Sequence, residues 1–204
     1  QPPLSPVPEP PFTVVAAGPE HADALARLFQ ADASPCYCRY WHFEGERNDW
    51  LARCAFAPEQ NEAEMREALA TGSPEGKGLV AVTPEGEVIG WMKLSPASSI
   101  RKLYDQRLYK GLPCFEGDRT GVFTVGCFLV HPSHRRRGIA RALLQKAIEL
   151  APSWGARALE AFPRRISEAA HDAELMLGPH GIFLENGFRC VHEIGPYPVL
   201  RRDL

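Results

Sequence analysis

The sequence predicts a single α/β domain in which a mixed sheet of about seven strands carries helices on both faces. Two observations support this prediction. Short apolar segments typical of strands alternate with segments whose apolar residues recur every three or four positions, as in amphipathic helices. Residues 121–130 are apolar almost throughout, as expected of a strand buried on both faces. With 204 residues, 45% of them apolar, the chain can build one core of ordinary size.

The N-terminal third is predicted to contain a tail, a strand and helices. Residues 1–11 include six prolines, which remove backbone donors, so we expect a disordered tail before a single domain at 12–204. β-branched residues at 12–17 favour an edge strand, and helical spacing follows. Further helices are expected from about Arg47 and at 59–70.

The remaining segments are predicted to complete the sheet. The turn Pro84-Glu85-Gly86-Glu87 suits a tight reversal between antiparallel strands. Residues 99–120 are charged and irregular, and predict a short helix followed by a loop. The other predicted elements are strands at 78–83, 87–95, 121–130, 156–162, 188–194 and 197–202, and helices at 138–150 and 178–187.

Composition limits the partners and the compartment. Lys and Arg number 23 against 25 Asp and Glu, a formal net charge of -2, so no global field draws the chain to nucleic acid or to anionic membranes. Because no apolar stretch approaches the length of a membrane span, a soluble, cytoplasmic protein is expected. Its six cysteines are then predicted to be reduced thiols. Because the net charge is small, any site for an anion must be formed by a local group of residues.

The stretch FLVHPSHRRRGIARALL is the most informative in the chain. A buried strand ends at Pro132, and a basic turn with Arg135, Arg136, Arg137 and Gly138 leads directly into an amphipathic helix. The first turn of a helix offers N–H groups without intrahelical partners and the positive end of the helix dipole. These features predict a phosphate or pyrophosphate site. A solvated surface turn is the alternative, although cations there oppose the dipole.

The motif Arg135-x-x-Gly138-x-Ala140 resembles the Arg/Gln-x-x-Gly-x-Gly/Ala signature of GNAT N-acetyltransferases. Three further features agree with that family: the Val130-x-Pro132 strand end, the strand at 156–162, and the sequence Phe-Leu-Glu-Asn-Gly-Phe at 183–188. The resemblance covers about residues 12–202. It implies a GNAT-like, mainly antiparallel sheet, acetyl-CoA as the acyl donor, an amine acceptor, and a homodimer such as many relatives form.

The resemblance also implies a cofactor site and a reaction. The pantetheine arm would pair with backbone groups near the end of the central strand, which splays from the next strand and leaves a slot for the thioester. A neutral amine would attack the acetyl carbonyl directly, which requires a base for the ammonium proton and an acid for the departing thiolate. The residues implied to bind acetyl-CoA are Phe128, Leu129, Val130, Arg135, Arg136, Arg137, Gly138, Ile139, Ala140, Phe183 and Asn186.

The chain departs from the family pattern at both proton-transfer positions. Many members have a tyrosine acid where this chain has Phe183, and members with a carboxylate base on the central strand place it about where Thr124 stands. Another donor must serve, or the thiolate leaves unassisted, which is chemically tolerable for a thiol whose free pKa is about 8.5.

Glu160 and His131 are the candidate catalytic residues. Glu160 interrupts an apolar strand beside the expected slot, and a carboxylate buried there should have a raised pKa, as a base working near neutrality requires. The alternative is that Glu160 faces solvent or pairs with an arginine. His131 ends the central strand, where a solvated loop histidine is the simpler interpretation.

The aromatic segment at 36–41 is a candidate wall of the acceptor pocket. Tyr37, Tyr40 and Trp41 suit recognition of an apolar or cationic small molecule. Packing in the core is the alternative. No metal is expected, because Cys36-x-Cys38 lacks the spacing of common zinc sites and has no second matching pair.

These features leave three candidate functions. The first is acetyl transfer to a small-molecule amine, with a protein amine less favoured as the acceptor. The second is a non-catalytic acyl-CoA-binding module of the same fold, because both usual proton-transfer residues are missing. The third, a nucleotide-binding domain, is disfavoured because the turn lacks both glycine-rich nucleotide motifs.

Overall fold

A computed structural model describes residues 11–163 and 180–204. Within them, seven strands form one mixed sheet in the order β1-β2-β3-β4-β5-β7-β6. All neighbouring strands are antiparallel except β4 and β5, which are parallel. The predicted fold class is therefore confirmed. The strands are β1 Thr13–Ala16, β2 Gly78–Val82, β3 Val88–Pro96, β4 Val122–Val130, β5 Ala158–Ala161, β6 Arg189–His192 and β7 Val199–Asp203.

Helices cover both faces of this sheet, which divides the core into two main clusters. α5 packs on one face through Leu143, Leu144 and Ala147. α1 and α3 pack on the other, with Leu25 and Leu69 in a second cluster. The helices are α1 Ala22–Ala31, α2 Arg47–Phe56, α3 Pro58–Thr71, α4 Arg101–Tyr104, α5 Ile139–Leu150 and α6 His180–Glu185.

β4 is the central strand, as its apolar run predicts. Its side chains alternate between the two clusters, with Phe123 on the α5 face and Leu129 on the α1 face. The register with β3 shifts between Met92 and Leu94, where β4 has one extra residue around Gly126. Such a bulge bends the strand and changes the direction of nearby side chains.

Two helical details differ from the sequence-based expectation. α2 begins at Arg47 and buries only Trp50, and its neighbour Leu51 is 52% exposed, so little of this helix faces the core. α3 begins at Pro58 and ends at Thr71, one residue beyond each predicted end, because Gly72 supplies the left-handed cap at φ +67°.

The predicted tail at 1–11 lies outside the described residues except for its last residue. Among the helices that the structure describes, none is long and apolar enough to cross a membrane.

Candidate functional site

The basic turn, residues 131–138, connects β4 to α5. Pro132–His134 forms one 3-10 turn, Arg136 has φ +61°, and Gly138 precedes α5 with φ +76°. Glycine adopts this left-handed conformation without Cβ strain. Ala142 donates its N–H to the Gly138 carbonyl at 3.0 Å, so the amides that come before it in α5 lie at the open end of the helix.

The arginines of the basic turn are divided between two environments. Arg136 and Arg137 are exposed beside Gly138. Arg135 is half-buried and donates to Asp32 at 2.6 Å, which anchors the turn to the residue that follows α1. The turn therefore combines helix-end amides with two exposed cations, an arrangement that suits an anion with several oxygens.

The sheet opens along the part of β4 that leads to the basic turn. β4 and β5 pair over three residues of each strand, ending at Thr124 and Glu160. β5 ends at Ala161, whereas β4 continues to Val130. In the part of the chain that the structure describes, the β4 edge at 125–130 therefore has no strand partner on the β5 side. An extended ligand arm can pair with such an edge as an added strand.

The carboxylate cluster, which we define as Tyr104, Arg119, Thr124, Glu160 and Arg201, lies where β4 and β5 separate. Arg119 donates to the two Glu160 oxygens at 2.8 and 2.6 Å, and Arg201 Nε donates at 2.9 Å. The Tyr104 hydroxyl donates to Glu160 at 2.8 Å and lies 2.7 Å from the Thr124 hydroxyl. Glu160 itself is fully buried.

This geometry corrects the expected protonation behaviour of Glu160. Burial alone would raise the pKa of the carboxyl, but the hydrogen bonds from Arg119 and Arg201 outweigh burial and lower it. The prediction of a raised pKa was wrong, because the arginines come from segments that the sequence does not connect to Glu160. Pairing with arginine, the alternative considered above, is what the structure shows.

A cavity of about 590 Å³ opens next to the carboxylate cluster. Tyr104 and Arg119 contribute to its wall, and the Arg119 guanidinium lies 5.1 Å from the ring of Tyr104 and 5.1 Å from that of Phe115. Arg101 and Asp105 add charges of opposite sign. Tyr104 belongs to the cavity wall, and its hydroxyl contacts Thr124 and Glu160, the last paired residues of β4 and β5.

Comparison with known proteins decides the family. The model of the acetyltransferase (GNAT) family matches residues 24–173, well over half of the chain. The chain belongs to the GNAT acetyltransferase family. It is therefore a transferase of a family that carries out acyl transfer from CoA. No curated protein sequence matches the chain significantly.

Solved structures agree with the fold. A GCN5-related N-acetyltransferase from Kribbella flavida is 21% identical, with a TM-score of 0.51 over 95% of this chain and 98% of that one. PaiA N-acetyltransferase from Thermoplasma acidophilum, in complex with coenzyme A, is 10% identical, with a TM-score of 0.53 over 95% and 99%. YncA from Salmonella typhimurium, with acetyl-CoA, is 16% identical, with a TM-score of 0.52 over 96% and 95%.

The sequence Phe-Leu-Glu-Asn-Gly-Phe at 183–188 forms the end of α6 and the residues after it. Phe183, at the position of the usual tyrosine, is fully buried with its ring 6.1 Å from that of Phe128 and 5.1 Å from that of Phe188. It is a core residue with no proton to donate. Asn186 donates its side-chain amide to the Ile182 carbonyl at 2.7 Å and so ends the helix.

His131 lies at the basic-turn end of β4. Its Nδ1 accepts a hydrogen bond from the Ser133 N–H at 3.1 Å, and its ring stands at 87° to that of His134. Thr124 is seven residues earlier, roughly 20 Å along an extended strand. The structure thus separates His131 from the point where β4 and β5 part.

The aromatic residues of the segment at 36–41 differ in burial. Tyr37 is buried in the core with its ring 5.2 Å from that of Phe29. Tyr40 and Trp41 are half-buried, and the Lys102 ammonium lies 4.2 Å from the centre of the Tyr40 ring. Core packing therefore accounts for Tyr37, whereas the other two aromatics keep partly accessible rings.

The partners of Glu160 and one further group of residues were not predicted from the sequence. The thiol cluster, defined as Cys38, Lys93 and Cys127, lies on the α1 face of the sheet. Lysine within the apolar strand EVIGWMKLS was a signal that could have been read, since a buried lysine needs partners. In the described ranges 11–163 and 180–204, no group of three or more metal-ligating side chains is placed to hold a metal.

Proposed function

We propose that the protein is an acetyl-CoA-dependent N-acetyltransferase that acts on a small-molecule amine by direct attack in a ternary complex. The observation that carries the proposal is the β4 edge at 125–130, which has no β5 partner and runs from the last β4–β5 pair to the basic turn. A pyrophosphate at the amides of residues 136–140 and an arm along residues 128–130 would bring the thioester to the point where the two strands separate. Phe183 and Asn186 would support this arm indirectly, because they hold α6 in position.

The cavity beside the carboxylate cluster supports a small acceptor. Its volume of about 590 Å³ lies within the range of small-molecule sites, roughly 300–1,000 Å³. It approaches the separated strands from the end opposite to the basic turn, so donor and acceptor would enter from different sides. The amine nitrogen would attack the acetyl carbonyl carbon, the C–S bond would break, and CoA would leave as a thiol once protonated.

Glu160 has a positioning role in this proposal. Two guanidinium groups and a tyrosine hydroxyl already occupy its oxygens, so the carboxylate holds Arg119 and Tyr104 in the cavity wall. His131 would lie near the pyrophosphate. Tyr40 and Trp41 remain candidates for acceptor contacts, and the six free cysteines support a cytoplasmic location.

Release of free CoA from acetyl-CoA in the presence of a panel of small amines tests the proposal. We expect turnover with at least one amine. CoA should be released only when acetyl-CoA and the amine are both present, as transfer in a ternary complex requires. Binding of CoA without turnover across the panel would instead favour a non-catalytic acyl-CoA-binding module, which the buried Phe183 also fits. Thermal stabilisation by ATP or NAD but not by CoA would contradict both functions.

A homodimer, which the family resemblance implies, is part of the proposal. Analytical ultracentrifugation with and without CoA would show a species of twice the 22.6 kDa chain mass. A monomer under both conditions would contradict this part alone.

A further inference from the structure

The cavity beside the carboxylate cluster is lined by charged side chains that the proposed transfer does not use. Arg101 begins α4 and Asp105 directly follows this helix, and both residues are exposed. Arg119 is the third charged residue of the wall and is half-buried. Two guanidinium groups and one carboxylate therefore line a space of about 590 Å³, which is large enough for a small molecule.

Arg119 is fixed in this wall by three neighbours. Its two terminal nitrogens donate to the two oxygens of Glu160, at 2.8 and 2.6 Å. The guanidinium also lies 5.1 Å from the ring centres of both Tyr104 and Phe115, which is within the range of a cation–π contact. A guanidinium that is already oriented loses little conformational entropy when it binds a further anion.

The bonds to Glu160 do not exhaust the Arg119 guanidinium. A guanidinium group has more N–H donors than the two that Glu160 accepts here. The Arg119 side chain is 26% exposed and belongs to the cavity wall, so a molecule in the cavity can contact it. The planar group that matches a guanidinium best is a carboxylate.

Arg101 and Asp105 keep their charges available. They are four positions apart, a spacing that places two side chains on the same side of a helix, and both line the cavity. Within residues 11–163 and 180–204, no ion pair involves either side chain. A ligand in the cavity can therefore meet a positive and a negative charge at neighbouring points of the wall.

The charges around the cavity do not cancel completely. Glu160 lies between Arg119 and Arg201, so these three residues together have one positive charge in excess. A simple aliphatic amine is itself a cation near neutral pH, as the lysine side chain is. The excess positive charge opposes the entry of such a cation. A carboxylate on the same molecule removes this opposition.

We propose that the acceptor is an α-amino acid whose carboxylate binds Arg101 and Arg119. This inference rests on the proposed function and names the class of its acceptor. The two guanidinium groups donate to the carboxylate, and Asp105 attracts the ammonium group as the molecule enters. An apolar side chain lies against the rings of Tyr104 and Phe115. The product is an N-acetyl amino acid, because one nitrogen proton passes to the CoA sulfur and another to water.

The position of Arg119 relates this carboxylate to the acyl donor. Arg119 is bonded to Glu160, which with Thr124 forms the last β4–β5 pair. Tyr104, in the same wall, contacts Thr124 at 2.7 Å. A carboxylate bound to Arg119 therefore lies near the point where the strands separate. In an α-amino acid the amine is on the carbon next to the carboxylate, so the amine comes close to the proposed position of the thioester.

The first test compares matched acceptors with the full chain and acetyl-CoA. L-leucine is paired with isoamylamine, and L-phenylalanine with phenethylamine, so that the members of each pair differ only in the carboxylate. Initial rates are measured over a range of pH and are compared at equal concentrations of the neutral amine. We expect kcat/KM to be at least about tenfold higher for each amino acid, because the oriented arginines would otherwise bind no anion.

The second test removes one charge from the wall. Arg101→Gln should raise KM for both amino acids about tenfold at nearly constant kcat, because the carboxylate is bound equally before and during the reaction. KM for the two simple amines should stay the same or fall. The matched control is Arg107→Gln, which removes the same charge from an exposed residue that does not line the cavity, and which should behave as wild type.

The outcomes separate this inference from the proposed function. Simple amines that react as well as the matching amino acids would overturn the inference and leave the proposed function intact. An unchanged KM for the amino acids in Arg101→Gln, or an equal rise for both members of each pair, would do the same. No turnover by wild type with any amine would overturn the proposed function and this inference together.

Discussion

The carboxylate cluster and the thiol cluster are both buried beside β4, yet their charges are arranged differently. Glu160 accepts hydrogen bonds from two guanidinium groups and a tyrosine hydroxyl, so two positive charges surround one negative charge. In the thiol cluster, Cys38 and Cys127 pack with apolar side chains, and the fully buried Lys93 donates to the Glu75 carbonyl oxygen. The first arrangement keeps its carboxylate ionised, whereas in the second the burial of Lys93 lowers the pKa of its ammonium.

The difference shows how burial and partners act together on an ionisable group. Burial alone favours the neutral form of both a carboxyl and a thiol. Hydrogen bonds from cations reverse that preference at Glu160 and lower the pKa of its carboxyl. Burial beside a cavity therefore does not by itself make a carboxyl group a base, because the groups bonded to it also set its pKa.

Removing the Glu160 charge should have the largest effect on stability. Glu160→Gln leaves Arg119 and Arg201 without their anion, and breaking a buried pair by losing one partner costs about 3–5 kcal/mol. We expect about 3 kcal/mol, because the two arginine side chains are 26% and 18% exposed. Urea denaturation monitored by circular dichroism measures the loss.

The matched control for this variant is Glu185→Gln. Glu185 pairs with Arg141 at 3.0 Å, but both side chains are about half exposed. Surface pairs of this kind contribute about 0–1 kcal/mol. Equal losses in the two variants would contradict a special role for the carboxylate cluster.

Acid should weaken the wild type more than Glu160→Gln. The folded-state pKa of Glu160 lies below its unfolded value, so its contribution is complete above the unfolded pKa of about 4.3 and is lost as the pH falls through the folded value. Denaturation curves from about pH 7 to pH 3 should therefore converge for the two proteins. Parallel curves would show that Glu160 has no lowered pKa.

A methyl group at Gly138 should weaken the binding of CoA at the basic turn. Gly138→Ala places a side chain at φ +76° and should cost about 1–2 kcal/mol of stability. Because the proposed pyrophosphate site uses the amides on either side of Gly138, we also expect CoA binding, measured calorimetrically, to weaken about tenfold.

Gly155→Ala separates these two effects. Gly155 has φ +86°, and an added Cβ meets nothing within 4 Å there or at Gly138. We expect a similar loss of stability with an unchanged CoA dissociation constant. Weaker CoA binding in both variants would mean that the basic turn is not the anion site.

Removing one hydroxyl from the carboxylate cluster should have the smallest effect. Tyr104→Phe deletes the donor to Glu160 and the contact with Thr124, a loss of about 1 kcal/mol in urea denaturation. Tyr109→Phe, whose ring lies 5.0 Å from Phe162, is the comparison for a buried tyrosine outside the cluster. A greater loss in Tyr109→Phe would contradict the assigned contacts.

The fold followed from sequence because its signals are local. The apolar run of β4, the Pro84–Glu87 turn and the apolar stripe of α5 each depend on residues close together in the chain. The basic turn was predicted for the same reason, since Pro132 and Gly138 enclose it.

The chemistry of the two clusters did not follow, because their members are distant in sequence. Glu160 takes partners from positions 104, 119 and 201, and the register that sets Arg201 opposite Glu160 exists only in the folded sheet. Cys38 and Cys127 are likewise brought together by the packing of the segment after α1 on β4. No pattern of neighbouring residues in the sequence predicts contacts of this kind.

The pH profile of acetyl-CoA turnover by Glu160→Gln beside wild type, at a temperature where circular dichroism shows both to be folded, decides the role of Glu160. If Glu160 only positions the cavity wall, the variant should show the same rise of kcat/KM with pH as wild type, reduced in height. A variant that loses this rise would identify Glu160 as the base and would contradict the positioning role.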